Sequence, residues 1–462
     1  MEKVFEWIVA VNGAINDFVW GVPCIVLLMG VGLLFTIRLG FFQFCHPGFL
    51  LKETVIKAFK KKDDADHRPG EITSFQAAMT SVGAIVGSGN IAGVATAIVA
   101  GGPGAVFWMI IAALIGMATK FAEVTLGIKY REMKEDGSIQ GGAMYYLAKG
   151  LNAKWLGALF SVLVIPYAFV ISAVVDTNTI ALSVHDQFAV PTWITGLVLA
   201  LAAGIIIFGG IKRIGRASEI IAPFMGIAYI LAGLLVIVLN IKEVPGAIGM
   251  ILEGAFSPRG VTGGVVGSMF IAMRYGVARG IFSNEAGVGS AAMVHCGAKV
   301  DHPVEQGLWG AVEVFLDTVL VCSVTALTIV LSGLWSGAGE DVDGAVLTMR
   351  AFEMLLPGKI GTWICLAAIM LFGFTCLISF YTYAERGAVY LFGEKSRFVV
   401  KLLWVFMIFV GSQTTLGFAW DLADTINGLM IIPNLVGLAL LSGQVVKLKK
   451  EYFSGRLPDR KH

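Results

Sequence analysis

The 462-residue sequence predicts an all-α, polytopic membrane protein of eleven transmembrane helices, two of them broken near their centres. Three observations carry that fold class. The chain is 57% hydrophobic and 14% charged, with a mean hydropathy of +0.80, whereas soluble domains average about 45–50% apolar and about 25% charged residues. Its apolar runs reach the roughly 20 residues that a bilayer crossing needs. Its basic residues fall almost entirely on one side of those runs.

The runs are 21–39, 73–101, 103–128, 155–182, 192–211, 217–240, 261–297, 305–333, 359–384, 397–415 and 417–443. With the N-terminus outside, the loops 38–72, 129–154, 212–216, 298–304, 385–401 and the tail from Lys447 are cytoplasmic and hold 26 of the 34 Lys and Arg residues. The outer side holds five, and Lys120, Arg274 and Arg279 lie inside runs. Dropping or adding one run would scramble this division. The expectation is therefore a multi-pass protein of the cell (inner) membrane with a cytoplasmic C-terminus.

Residues 1–20 place Glu2, Glu6 and Asp17 among Phe5, Ile8, Val9 and Trp20, which reads as an amphipathic helix on the membrane surface, not a signal core. A net charge of +2 offers no basic excess for nucleic acid. The six scattered cysteines show no CxxC or Cys/His spacing and read as small apolar core residues.

Two runs cannot be simple helices. Residues 72–101 would make a straight helix of about 45 Å, against a hydrocarbon core of about 30 Å. Between Gly83 and Asn90 three glycines sit with Ser88 and Asn90. Packing of small residues explains the spacings Gly83/Gly87 and Gly89/Gly93, but packing needs neither a hydroxyl nor an amide. A break there frees backbone groups that only a cavity, ion or ligand can satisfy at membrane depth. The run 261–297 repeats the feature across Gly276–Gly289, with Arg274, Arg279 and Glu285 as its only formal charges and Ser283 and Asn284 between glycines. Ionisable groups at that depth point to function by default.

These are runs two and seven, five apart and opposite in direction. That predicts two inverted five-helix repeats (73–240 and 261–443) after one accessory helix (21–39), with a cytoplasmic tail at 444–462. Paired interrupted helices in corresponding positions point to a transporter's midplane site.

The strings Gly87-Ser-Gly-Asn-Ile-Ala-Gly-Val-Ala-Thr-Ala-Ile98, Gly116-Met-Ala-Thr-Lys-Phe-Ala-Glu-Val-Thr-Leu126 and Gly280-Ile-Phe-Ser-Asn-Glu-Ala-Gly-Val-Gly-Ser290 resemble the signatures of the alanine or glycine:cation symporter family, within the amino acid–polyamine–cation superfamily. The resemblance implies the fold of the bacterial leucine transporter and sodium-coupled (Na+) uptake of alanine or glycine. That transporter's Gly-x-x-Val-Gly-x-Gly-Asn pattern is matched by Gly83, Val86, Gly87, Gly89 and Asn90. By this match the carbonyls of Gly83 and Val86 face one sodium, and Asn90 faces a second if there is one. The amides of Gly87, Ser88 and Gly89 face the substrate carboxylate at a half-helix N-terminus. An equivalent break at Gly280–Asn284 supplies carbonyls to the substrate ammonium, with Phe282 as a wall and Ser283 beside it.

Superfamily members often carry two adjacent hydroxyl residues in the ninth run. Thr375 fits the first, Cys376 departs from the second, and Ser379 is the substitute one turn on. A hydroxyl bonded to its own helix is the plainer role for Thr375. Tyr167 and Phe169, after the helix-bending Pro166, either line the cavity or pack; Gln76 either gates the site, contacts substrate or stays outside it. Asp317 and Thr318 are polar groups at depth open to ion binding or structural pairing, and Trp420 and Asp421 stand where an outer vestibule is capped. Lys120 and Glu123 read as a snorkelling or paired structural couple.

Rival classes have less support. A channel filter of re-entrant segments needs several symmetric copies, and the chain has no HExxH, P-loop or nucleophile elbow for an enzyme. Another small neutral amino acid, or proton coupling, remains open beside alanine, glycine and sodium.

Overall fold

The computed structural model describes residues 2–60, 69–134, 137–256, 265–337, 344–414 and 417–454. Residues 261–264 of the seventh predicted run and 455–462 of the predicted tail lie outside them. Helices build almost all of the described chain. Six are each long and apolar enough to cross a membrane: Gly104–Lys129, Lys154–Phe188, Gly210–Leu239, Pro303–Ser332, Ile360–Phe392 and Phe418–Phe453. A seventh crossing arises if Glu6–Val19 and Val22–Arg38, bent by 40° at Gly21, act together.

The remaining four predicted runs take other forms. Thr192–Ile207 and Ser396–Gly411 have 16 residues each, about 24 Å of helix and short of the bilayer core. Runs two and seven are each split. The first is Ser74–Ile85, a single 3-10 turn at Ser88–Asn90, and Ala92–Gly101. The second is Val265–Asn284 followed by Ala291–His295. The break in the second therefore falls at 285–290, not at Gly280–Asn284 as expected.

A hydrophobic exterior wraps the bundle. On Gly210–Leu239 the exposed residues Ile220, Phe224, Ile227, Leu231 and Val238 recur every three, four or seven positions, one helix face of apolar side chains turned outward. Inside, the half-helix Ser74–Ile85 packs between Gly210–Leu239 and Ile360–Phe392, and Ala92–Gly101 packs on Val265–Asn284 and Gly344–Leu355.

Two short ladders interrupt the helical pattern. Ile72–Thr73 pairs in parallel with Ala298–Lys299, and Glu132–Met133 pairs antiparallel with Ile139–Gln140. The first ladder joins the chain just before one broken helix to the chain just after the other. Arg131 locks it, donating to the carbonyls of Cys296 (2.8 Å), Ala298 (2.6 Å) and Pro69 (2.9 Å).

Small residues set the closest approaches. A Cβ on Gly104 would lie 2.2 Å from the carbonyl carbon and oxygen of Gly254 on the helix Val244–Phe256, so only glycine lets these backbones touch. Gly30 on Val22–Arg38 has nothing within 4 Å of such a Cβ. Gly30→Ala is therefore expected to leave thermal unfolding of the purified protein unchanged or to stabilise it by up to about 1 kcal/mol. Gly104→Ala is expected to lower the midpoint, and equal midpoints for the two variants would contradict this packing.

Candidate functional site

The first break begins with one redirected hydrogen bond. Were the helix Ser74–Ile85 to continue, the Gly87 amide would cap the Gly83 carbonyl. It donates instead to Asn90 Oδ1 at 2.8 Å, leaving helix-end carbonyls free. Gly87 is extended (φ −140°, ψ −150°), a conformation any residue can take. Glycine is required there by space, because a Cβ would sit 2.6 Å from Cys376 Sγ.

Oxygens gather beside the freed carbonyls. Ser379 Oγ lies 3.3 Å from the Cβ position of Gly83 and is buried without a hydrogen-bond partner. Thr375 donates to its own helix, at Leu371 O (3.0 Å) and Phe372 O (2.9 Å), which leaves its lone pairs available beside Gly83. Cys376 Sγ donates to Ala84 O at 3.1 Å and lies 3.9 Å from Val86 O.

Asn90 reaches across to Asp317, donating to Oδ1 at 2.6 Å. Ser283, on the second broken helix, donates to Asp317 Oδ2 at 2.8 Å, and Thr318 donates to the same oxygen at 2.7 Å. Asp317 is wholly buried and lies in a π-helical stretch, Phe315–Cys322, a widened turn frequent at functional sites. One carboxylate thus joins both broken helices.

The second break is closed by other groups. Glu285 (φ +53°), Gly287 (φ +97°) and Gly289 (φ +89°) are all left-handed, and for the glutamate this costs about 1–3 kcal/mol. Lys120 Nζ donates to Asn284 O at 2.9 Å, and Asn434 Nδ2 donates to Gly287 O at 2.8 Å and to Glu123 Oε1 at 2.7 Å. Lys120 is fully buried and caps the break; it does not snorkel. Toward the ladder, His295 Nε2 lies 2.6 Å from Glu313 Oε1, and Ser81 donates to Glu313 Oε2 at 2.8 Å, so a second buried polar group ties the two broken helices.

Between the breaks lies a cavity of about 20 Å³, bordered by Ser88, Tyr167, Asp176, Phe282, Glu285 and Phe380 among others. It has room for about one water molecule. Tyr167 donates to Glu285 Oε1 at 2.7 Å, and Ser290 and Tyr383 donate to Oε2 at 2.6 and 3.2 Å. Ser88 donates to Asp176 Oδ1 at 2.7 Å. Outside the cavity, Arg279 Nη2 pairs with Asp424 Oδ2 at 2.8 Å, and the Trp420 ring stacks 5.6 Å from Phe282.

A larger cleft of about 510 Å³ lies far from both breaks, among Glu132, Lys134, Lys149, Lys154 and Glu394. Its Glu132 is already paired with Lys134 and Lys149. Hydrogen bonds from Lys149 and Lys134 hold the Glu132 carboxyl below the usual range, so size alone does not make it the site.

Of the residues expected from sequence, Gly83, Val86, Gly87, Ser88, Gly89, Asn90, Tyr167, Phe282, Ser283, Thr375 and Ser379 converge here. Three do not. Gln76 is held in a capping box with Thr73, each side chain accepting the other's amide at 3.1 Å. Phe169 packs on Trp404, with centroids 4.9 Å apart. Gly280 is helical, its missing Cβ making room for Met109. Asn284 ends the helix, its side chain bonded to Thr318 Oγ1 and Ala286 N, both at 2.9 Å. Asp176 was not foreseen, though an aspartate inside an apolar run is itself a signal.

The Asp317 junction makes a direct prediction. Asp317→Ala removes the carboxylate that accepts from Asn90, Ser283 and Thr318, leaving Asn90 and Ser283 only long contacts such as those to Cys322 Sγ at 3.3 Å. The loss is about 1–3 kcal/mol for each donor, whereas Asp317→Asn keeps one acceptor oxygen. Thermal unfolding is expected to rank wild type above Asp317→Asn and Asp317→Asn above Asp317→Ala. A fully stable Asp317→Ala would contradict the junction.

Relatives share this chain nearly end to end. A sodium/alanine symporter of Methanococcus maripaludis is 43% identical over 449 residues, covering 96% of this chain and 97% of its own. A probable sodium/glutamine symporter of Bacillus subtilis is 39% identical over 456 residues, covering 98% of this chain and 91% of its own. Among solved structures, MhsT in complex with L-phenylalanine matches with a TM-score of 0.55 at 13% identity, over 81% of this chain and 97% of that one. A manganese transporter of Eremococcus coleocola matches at 0.52 and 14% identity, over 84% and 88%. At such identities the likeness speaks for the fold alone, which is that of the leucine-transporter-like transporters. The description of the sodium:alanine symporter family fits residues 5–461. This multi-pass membrane transport protein belongs to the sodium:alanine symporter family.

Proposed function

We propose that this chain is a sodium-coupled symporter that carries a small neutral amino acid, alanine or glycine, into the cell by alternating access. One observation carries the reading: a single backbone break offers hard oxygens on one flank and amides on the other. Gly83 and Val86 carbonyls with the Ser379 and Thr375 hydroxyls form the oxygen set. Unwound carbonyls of this kind suit a monovalent cation, and a half-helix N-terminus suits a carboxylate. The amide left for that carboxylate is that of Gly89, because Gly87 is bonded to Asn90 and the Ser88 amide lies against the Asp176 carboxyl group. The Asp317 carboxylate with the Ser283 and Thr318 hydroxyls forms a second oxygen-rich cluster, onto which Asn90 turns its amide nitrogen, and is the proposed place for a further sodium.

Sodium organises the carbonyls that also shape the amino-acid cavity, so ion and substrate bind together. One sodium moving inward carries one charge, worth about 2.3 kcal/mol per 100 mV, and its concentration gradient adds to this. The space walled by Phe282 and Phe380 holds about one water and has to widen to admit an amino acid, which favours a short side chain. The distribution of basic residues supports eleven crossings in the cell membrane with the N-terminus outside, and the spacing of the two breaks supports two inverted five-helix repeats. A second reading, symport of another neutral amino acid, draws on the Bacillus subtilis relative named for glutamine.

Uptake of labelled alanine and glycine by proteoliposomes under an inward sodium gradient tests this. Saturable, sodium-dependent uptake is expected, with Ser379→Ala raising the half-saturating sodium concentration on the order of tenfold, the loss of one ligand to a charged group. Sodium-independent uptake, or ion flux without an amino acid, would overturn the proposal.

A further inference from the structure

The carbonyls of Gly280–Asn284 were expected to hold the ammonium end of the substrate, but they lie in a helix, and the last of them accepts from Lys120. Another anion stands at the cavity. Asp176 closes a π-helical stretch, Phe169–Asp176, and is 2% exposed. Its Oδ1 accepts from Ser88 Oγ, and the carboxyl group also lies against the Ser88 amide. Its Oδ2 is buried with no hydrogen-bond partner, as is the Ser172 hydroxyl one turn earlier on the same helix face. Ser88, Ser172 and Cys376 meet Asp176 with side-chain donors, the last two outside hydrogen-bond geometry, and none of them is cationic. The other carboxylate at the cavity, Glu285, differs: both of its oxygens accept hydroxyl donors.

We infer that Asp176 is the anchor for the substrate's ammonium group, a role that rests on the symporter reading above. A buried carboxylate with one free oxygen is completed by a cation that can also donate hydrogen bonds. An ammonium does both. Sodium suits the place less well than the first helix end, where more oxygens stand together: the Gly83 and Val86 carbonyls with the Thr375 and Ser379 hydroxyls. The carboxylate of Asp176 and the amide end of the half-helix lie side by side at Ser88. That pairing of opposite poles matches the two charged ends of an α-amino acid, which are separated by a single carbon.

The test is sodium-dependent binding of labelled alanine to the purified full-length protein, with propionate, which is alanine lacking its ammonium, as competitor. Asp176→Asn is expected to weaken alanine binding on the order of tenfold or more while half-saturating sodium, measured at saturating alanine, stays within about twofold of wild type. Asp176→Glu, which keeps the charge, recovers part of the loss. Should Asp176→Asn fail to fold, the wild type still decides: propionate in about hundredfold excess leaves alanine bound if the ammonium is the anchor, and competition at parity overturns it. Unchanged alanine affinity in a folded Asp176→Asn, or a tenfold shift in sodium affinity instead, overturns the anchor alone. Absence of sodium-dependent alanine binding in the wild type overturns the symporter reading and the anchor with it.

Discussion

At the centre of a membrane bundle no bulk water relieves a backbone group that a broken helix leaves unpaired, so the protein has to close each break itself. This chain meets the constraint twice, by different chemistry. The first break turns its own amide onto Asn90 and fastens Asn90 to Asp317. The second takes a buried lysine and a buried asparagine onto its carbonyls. Because Asp317 also accepts from Ser283, the two closures share a member. A shift of either broken helix strains the other through a carboxylate that has nowhere else to find donors.

The ties continue toward the parallel ladder. His295, Glu313 and Ser81 link the same two helices halfway along, and the parallel ladder with its Arg131 clamp links their ends. Across the cavity, the Arg279–Asp424 pair and the tilted Trp420–Phe282 ring contact tie the second broken helix to the last long helix. A transporter that opens to each side in turn has to release one set of ties while holding the other. The set at the ladder is rich in backbone hydrogen bonds, and the set across the cavity rests on side chains.

Much of this was legible in the sequence, for identifiable reasons. Glycine clusters beside Ser88 and Asn90 in an uncharged run too long for one crossing fix the first break, because length and backbone satisfaction are one-dimensional constraints. The second break was displaced by five residues. Its glycines at 276 and 280 serve close packing, against Ala105 and Met109, while the chain turns at Glu285, a residue that no propensity places in a left-handed conformation. Gln76 shows the opposite case. Thr73 three residues before Gln76 is a capping-box pattern, but the polar side chain beside a break suggested contact with substrate. Phe169 misled because the π-helical stretch beginning there shifts the face that a 3.6-residue period would assign. Asp176 carries a visible charge in an apolar run; its partner Ser88 lies 88 positions away in the chain, and only the fold brings them together.

The central claim is that the space between the two breaks is where an amino acid and sodium meet. A structure determined with alanine and sodium bound tests it most directly. The account predicts density for the amino acid beside Ser88, Gly89 and Asp176, with a cation within coordination distance of the Gly83 carbonyl and Ser379 Oγ. Alanine bound elsewhere, for example in the cleft at Glu132, with the space between the breaks unchanged, would contradict it.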